Sequence, residues 1–152
     1  MGLYNRIIFL GRSGNLREPM ATELAKELFM DTQIELLPRG MVVSFPEPMN
    51  QKAEAVLISN GVTVGNFAST AFSEKDITSD TLILTMGQEI KERAQKSFPS
   101  IRPEQIKVLT EFVGEELEII DPYGGTLTAY GLCYESLKRT IKKLVKIIHE
   151  GE

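Results

Sequence analysis

Residues able to bind or transform a ligand are few in this chain, and most of them fall in two short segments. The first is Gly11-Arg12-Ser13-Gly14-Asn15-Leu16-Arg17. It follows the apolar run Arg6-Ile7-Ile8-Phe9-Leu10 and precedes Pro19, a residue suited to the first turn of a helix because its missing N–H costs nothing there. A loop between a strand and a helix N-terminus points backbone amides outward and favours an anion, and Arg17 adds a guanidinium that can hold two oxygens at once. The second segment, Asp121-Pro122-Tyr123-Gly124-Gly125, places a carboxyl at the head of a turn that leads into a helix. Ser13 brings a hydroxyl to the first loop, but no histidine or lysine stands beside it to take its proton. The chain has one cysteine, Cys133, and one histidine, His149, which excludes an internal disulfide and a His/Cys zinc cluster. Cys133 lies between Tyr130 and Tyr134 on the apolar side of a helical pattern and reads as a small buried residue.

The elements that must position these residues alternate along the chain. Short apolar runs at 6–10, 34–37, 81–86 and 106–109 read as buried strands. Helical spacing follows each of the first three. Leu24, Ala25, Leu28 and Phe29 continue from Pro19. Ala53, Val56, Leu57 and Ile58 follow Asn50 and end at Asn60-Gly61. Ile90, Ala94 and Phe98 stop near Pro99. Ser73 and Asp76 have the spacing of a weak capping box. The final helix is the clearest, with Leu127, Tyr130, Tyr134, Leu137, Ile141, Leu144, Val145 and Ile148 stepping by threes and fours. Its other face carries Lys138, Arg139, Lys142, Lys143 and Lys146, which reads as a solvated face in preference to a site for an acidic partner. Strands alternating with helices imply an α/β fold, a single domain over 1–152 with a four-stranded parallel sheet flanked by helices on both faces. In such folds ligands sit beyond the carboxyl ends of the strands, which makes the loop 11–17 the first place to look for a site.

The bulk properties narrow the function classes. A length of 152 residues fits one core, and 42% apolar with 25% charged residues is ordinary for a soluble globular protein. A formal net charge of −4 argues against nucleic acid as the partner. No apolar run has the length of a membrane span, and the first residues lack the layout of a signal peptide. The sparse use of cysteine fits a reducing cytosol, so a cytoplasmic location is expected, with no cofactor and no metal.

The stretch Phe9-Leu10-Gly11-Arg12-Ser13-Gly14-Asn15-Leu16-Arg17-Glu18-Pro19-Met20-Ala21 resembles the signature of low-molecular-weight protein tyrosine phosphatases, roughly F-V-C-x-G-N-x-C-R-S-P-M-A. Phe9, Arg17, Pro19, Met20 and Ala21 match it without gaps. Asp121-Pro122-Tyr123-Gly124-Gly125 resembles the family's D-P-aromatic-G-G loop, and the segments between follow the family's order. The resemblance implies the flavodoxin-like fold of these phosphatases. It also implies a phosphate-binding loop formed by Gly11, Arg12, Ser13, Gly14, Asn15, Leu16 and Arg17, with Arg17 and Asp121 in the catalytic positions. There Arg17 would grip the phosphoryl oxygens and Asp121 would act as general acid, while Tyr123 would wall the cleft.

Three residues depart from that pattern. Gly11 stands where the family keeps its nucleophilic cysteine, Leu16 replaces a second cysteine, and Glu18 replaces the serine after the arginine. Without a thiolate the family's phosphocysteine cannot form. The expectation is therefore a phosphatase-like protein impaired in catalysis that binds a phosphoryl group or a protein partner at loop 11–17. Two alternatives stand beside it: an active phosphomonoesterase with a non-cysteine route, and an interaction module that binds no anion. A cysteine relay of the arsenate-reductase type needs more thiols than this chain has. Arg17 has a second reading as a brace for the loop, and Asp121 as a turn former. Glu18 either opposes an anion from the rim of the cradle or caps the helix that Pro19 begins.

Overall fold

The absence of polar alternation in the strands has a direct structural cause: helices cover both faces of the sheet. In the computed structural model, which describes residues 3–29 and 33–151, four parallel strands lie in the order β2-β1-β3-β4. They are β1 (Arg6–Gly11), β2 (Glu35–Gly40), β3 (Thr81–Thr85) and β4 (Ile106–Val108). The helices are α1 (Arg17–Leu28), α2 (Gln51–Ser59), α3 (Gln88–Ser97), the single turn α4 (Leu109–Phe112) and the long α5 (Leu127–Glu150). Successive side chains of a strand point to opposite faces. Ile7 and Phe9 of β1, with Leu82 and Leu84 of β3, therefore enter one core beneath α1, α2 and α5. Ile8, Leu10 and Ile83 enter a second core with Ile90 and Ala94 of α3. All seven of these strand residues are fully buried.

The expected elements are present, with shifted ends. The second strand runs on through Pro38 to Gly40, because β2 is an edge strand and a missing N–H there breaks no ladder bond. The fourth strand stops at Val108, and Leu109 begins the turn α4. Half of the weak capping box forms, with the Asp76 carboxylate accepting from the Ser73 N–H at 3.0 Å.

The C-terminal ends of the strands carry the loop 11–17, and two helix caps fix its surroundings. Asn50 Oδ1 accepts from the amides of Lys52 and Ala53 at 3.0 and 3.1 Å and so begins α2, an arrangement worth about 1 kcal/mol. The Asn50 N–H donates to the Asn15 carbonyl at 2.8 Å, tying that cap to the loop. Thr126 caps α5 through a bond from the Ala129 N–H at 3.2 Å. Leu137, Ile141 and Leu144 of α5 are fully buried, which anchors the helix whose first turn follows Asp121.

Candidate functional site

The loop is held from several sides. Carbonyls of Gly11 and Arg12 accept from Met41 and Val42 at 2.9 and 2.8 Å, and the Asn15 side chain donates to the Pro48 carbonyl at 3.2 Å. Gly14 turns the loop with φ of 76°, a conformation that disfavours any side chain. The backbone of Gly40 lies directly against it, so that a Cβ on Gly40 would meet Gly14 N at 2.7 Å.

The interior of the loop is filled by Glu18. Its side chain does not reach the rim; it folds back beneath the loop and is only 2% exposed. Oε2 accepts from the Gly14 N–H at 3.1 Å and Oε1 from the Leu16 N–H at 3.3 Å. Leu16 is the N-cap residue of α1 and has no side-chain cap of its own, so the carboxyl group also closes the helix start. A Cβ built on Gly11 would stand 2.6 Å from Glu18 Cδ and overlap Oε2. The glycine is thus what makes room for the carboxyl, and the carboxyl lies where a side chain of residue 11 would go. Burial raises the pKa of Glu18 above its ordinary value, against the opposing pull of the backbone hydrogen bonds and the Arg17 charge. The third departure from the signature, Leu16, packs into the larger core at 5% exposure.

Arg17 lines the cavity above the loop and reaches across to the segment that carries Asp121. Its Nη1 donates to the Ile119 carbonyl at 2.7 Å, and Nη2 lies 3.8 Å from Asp121 Oδ2. The guanidinium therefore fastens the segment 114–125, a strap between α4 and α5. Asp121 is half exposed and accepts from the Tyr123 N–H at 3.1 Å, a turn bond within its own segment. A cavity of about 350 Å³ above the loop is lined by Arg12, Ser13, Arg17, Glu18, Asp121 and Tyr123, together with Glu47 and Asn50. Of the sequence-predicted site residues, Arg12, Ser13, Asn15, Leu16, Arg17, Asp121 and Tyr123 thus meet around one cavity, whereas Gly11 lies against the Glu18 carboxyl and Gly14 against the Gly40 backbone. Tyr130 belongs to the core, with Lys52 Nζ 5.8 Å from its ring centre. Cys133 is buried, and burial pushes its thiol up to about 12, which disfavours the thiolate a nucleophile needs. Among the described residues no group of three His, Cys, Asp or Glu side chains could hold a metal ion.

Sequence reasoning did not find that Glu18 enters the loop, nor that Ile119 would receive Arg17. The signal for Glu18 was present as a pair: a side chain removed at 11 and a longer one gained at 18. The Ile119 contact is made by a carbonyl, which side-chain patterns cannot disclose.

A parallel sheet of order 2-1-3-4, with an anion-type loop after its first strand and an aspartate turn ahead of its last helix, defines a phosphatase-type α/β fold. The family model of the low molecular weight phosphotyrosine protein phosphatases matches residues 6–152, and the chain belongs to that family. The low molecular weight protein-tyrosine-phosphatase PtpB of Staphylococcus aureus is 33% identical over 143 residues, covering 94% of this chain and 99% of that protein. Its counterpart from Staphylococcus haemolyticus is 32% identical over 139 residues, covering 91% and 96%. Among solved structures, a YwlE mutant from Bacillus subtilis superposes with a TM-score of 0.88 at 24% identity, covering 95% of this chain and 98% of that one. A low molecular weight protein tyrosine phosphatase from T. tengcongensis gives 0.85 at 27% identity, covering 93% and 98%. No helix among the described residues is long and apolar enough to cross a membrane.

Proposed function

We propose that this protein is a non-catalytic member of the phosphatase family whose loop is occupied by its own carboxyl group, and that it works by binding a protein partner on the loop face. The observation that carries this reading is Glu18. Its two oxygens take the hydrogen bonds of Gly14 and Leu16, amides that in a phosphate loop would serve the oxygens of a phosphorylated side chain. Gly11 supplies no nucleophile, and Arg17 is engaged with the strap. The names of the relatives point to tyrosine and arginine phosphatases, so a phosphorylated side chain is the class of ligand this loop would accept if emptied.

A second reading has one observation in its favour. Because the Glu18 carboxyl lies beside the nucleophile's position, it could attack phosphorus itself, form an acyl phosphate, and let Asp121 protonate the leaving oxygen before water hydrolyses the intermediate. Burial opposes this, since it disfavours the carboxylate form that would attack, and the amides needed by the phosphoryl group are already taken.

One set of assays separates the two. Hydrolysis of p-nitrophenyl phosphate and a phosphotyrosine peptide is measured for the wild type, Glu18→Gln and Arg17→Ala, with thermal-shift titrations of phosphate on the wild type and Glu18→Ser. The expected result is no turnover and no phosphate-dependent shift in the wild type, with a shift gained in Glu18→Ser. Wild-type turnover that vanishes in both Glu18→Gln and Arg17→Ala would overturn the non-catalytic reading. Gly11→Cys alone is expected to restore nothing, because its side chain must displace the carboxyl. Gly11→Cys with Glu18→Ser is the variant in which activity would return.

A further inference from the structure

Beside the filled loop runs a groove of about 920 Å³ between the strap 114–125 and α5. The strap is tied at four points. Glu115 accepts from Thr140 Oγ1 and Lys143 Nζ at 2.6 and 2.8 Å, and Glu118 accepts from the Gln88 N–H at 2.8 Å. Ile119 accepts from Arg17, and Gly125 from Lys52 Nζ at 2.6 Å. These ties fasten the strap at one end to α5 through Glu115 and elsewhere to α1, α2 and α3, and a groove fixed in this way loses little freedom on binding.

Its walls are apolar and open to solvent. Leu117 and Ile120 are each 82% exposed, Tyr123 78% and Leu132 66%. Single exposed leucines are ordinary, but four large apolar side chains lining one concavity mark a contact surface. The charge around them is uneven. Of the charged residues on the groove, Lys143 pairs with Glu115, and Arg139 is a second cation, in no ion pair among the described residues, against the further carboxylates Glu116, Glu118 and Asp121. Asp121 leans toward Arg17. Glu116 and Glu118 flank Leu117, and neither enters an ion pair among the described residues.

We infer that this groove docks an extended segment of a partner protein in which aliphatic or aromatic side chains alternate with lysine or arginine. The apolar side chains would cover Leu117, Ile120 and Leu132, and the cations would meet Glu116 and Glu118, giving orientation and speed of encounter as well as affinity. A second copy placed face to face by two-fold symmetry would set one net negative patch against another, which disfavours it. The inference rests on the reading that the loop face serves binding and not hydrolysis.

The probe is a fluorescein-labelled peptide of alternating leucine and arginine, followed by fluorescence anisotropy on the full chain. Matched peptides replace arginine by glutamate or leucine by serine. Saturable binding of the Leu/Arg peptide is expected, with each replacement weakening it by about tenfold or more. Leu132→Ser and Leu117→Ser lie on exposed positions and leave folding intact; each should weaken binding about tenfold, and the pair Glu116→Gln with Glu118→Gln about three- to tenfold. Failure of the Leu/Arg peptide to saturate, equal binding of the Leu/Glu peptide, or variants that bind like the wild type would overturn the proposal. Self-association in sedimentation velocity that Leu132→Arg abolishes would overturn it in favour of a second copy. Phosphate titrations read the loop and peptide titrations read the groove, so the failure of one reading is distinguished from the failure of the other.

Discussion

The close approach of Gly11 and Glu18 makes them one unit, although seven positions separate them. A methyl group on Gly11 must push the carboxyl out of a buried, hydrogen-bonded place. Gly11→Ala is therefore expected to cost about 1–3 kcal/mol in urea unfolding, as overpacking of a filled interior does. Glu18→Ser makes space for that methyl, so the double variant should lose less than the sum of the two single changes. Strict additivity would show that the two side chains do not share the space. Glu18 also predicts a pH dependence. Its folded pKa lies above the ordinary 4.5, so between the two values the folded state binds more proton than the unfolded chain. The contribution to stability is complete below about 4.5 and is lost as pH rises through the folded value. The stability of Glu18→Gln relative to the wild type should thus rise with pH across that window and level off above it. A difference that is flat from pH 4 to 8 would contradict the burial of an ionisable group. At this scale the sequence disclosed that Gly11, Leu16 and Glu18 depart together, but not that one fills the space of another, because distance in space is not written in spacing along the chain.

The strap is an element without regular secondary structure, and its order depends on a few polar ties. Arg17 to the Ile119 carbonyl is the shortest tie to the loop side, and a hydrogen bond to a charged group is worth about 1.5–3 kcal/mol. The ion pair with half-exposed Asp121 at 3.8 Å adds little. Arg17→Ala should lower the unfolding free energy by about 1–3 kcal/mol and speed amide exchange in residues 117–123, measured by mass spectrometry. Unchanged exchange there would mean that Glu115 and Glu118 hold the strap by themselves. The brace reading of Arg17 and the turn reading of Asp121 each have a contact here that matches them. The helices and strands were legible from apolar periodicity and from the punctuation at Pro19, Asn50, Asn60-Gly61 and Pro99. The extension of β2 through Pro38 was not, because whether a proline is tolerated depends on which strand lies at the edge.

At the scale of the whole molecule, the two cores lie on either face of one sheet, and a domain of this size is expected to unfold as a single cooperative unit. The larger core joins α5 to α1 and α2, so truncating a buried side chain of α5 should destabilise the loop as much as the helix. Leu144→Ala is expected to cost about 2–5 kcal/mol with one transition seen alike by circular dichroism and tyrosine fluorescence. Separate transitions would show that α5 unfolds independently of the sheet. The fold class was legible because the strand–helix alternation and both ends of the signature point to one topology. The state of the loop was less so, since it depends on a rotamer and two amide bonds.

The shared space of residues 11 and 18 also orders the steps by which such a chain can change. With glutamate retained, a cysteine at 11 meets a buried carboxyl; with glycine retained, a serine at 18 leaves the amides of Gly14 and Leu16 facing a void that water or an anion must fill. The first intermediate must displace a buried, hydrogen-bonded carboxyl, while the second can be rescued by solvent. The less costly route to a thiol-bearing loop therefore runs through position 18 first, and a library that varies position 11 alone meets the displaced carboxyl in every member.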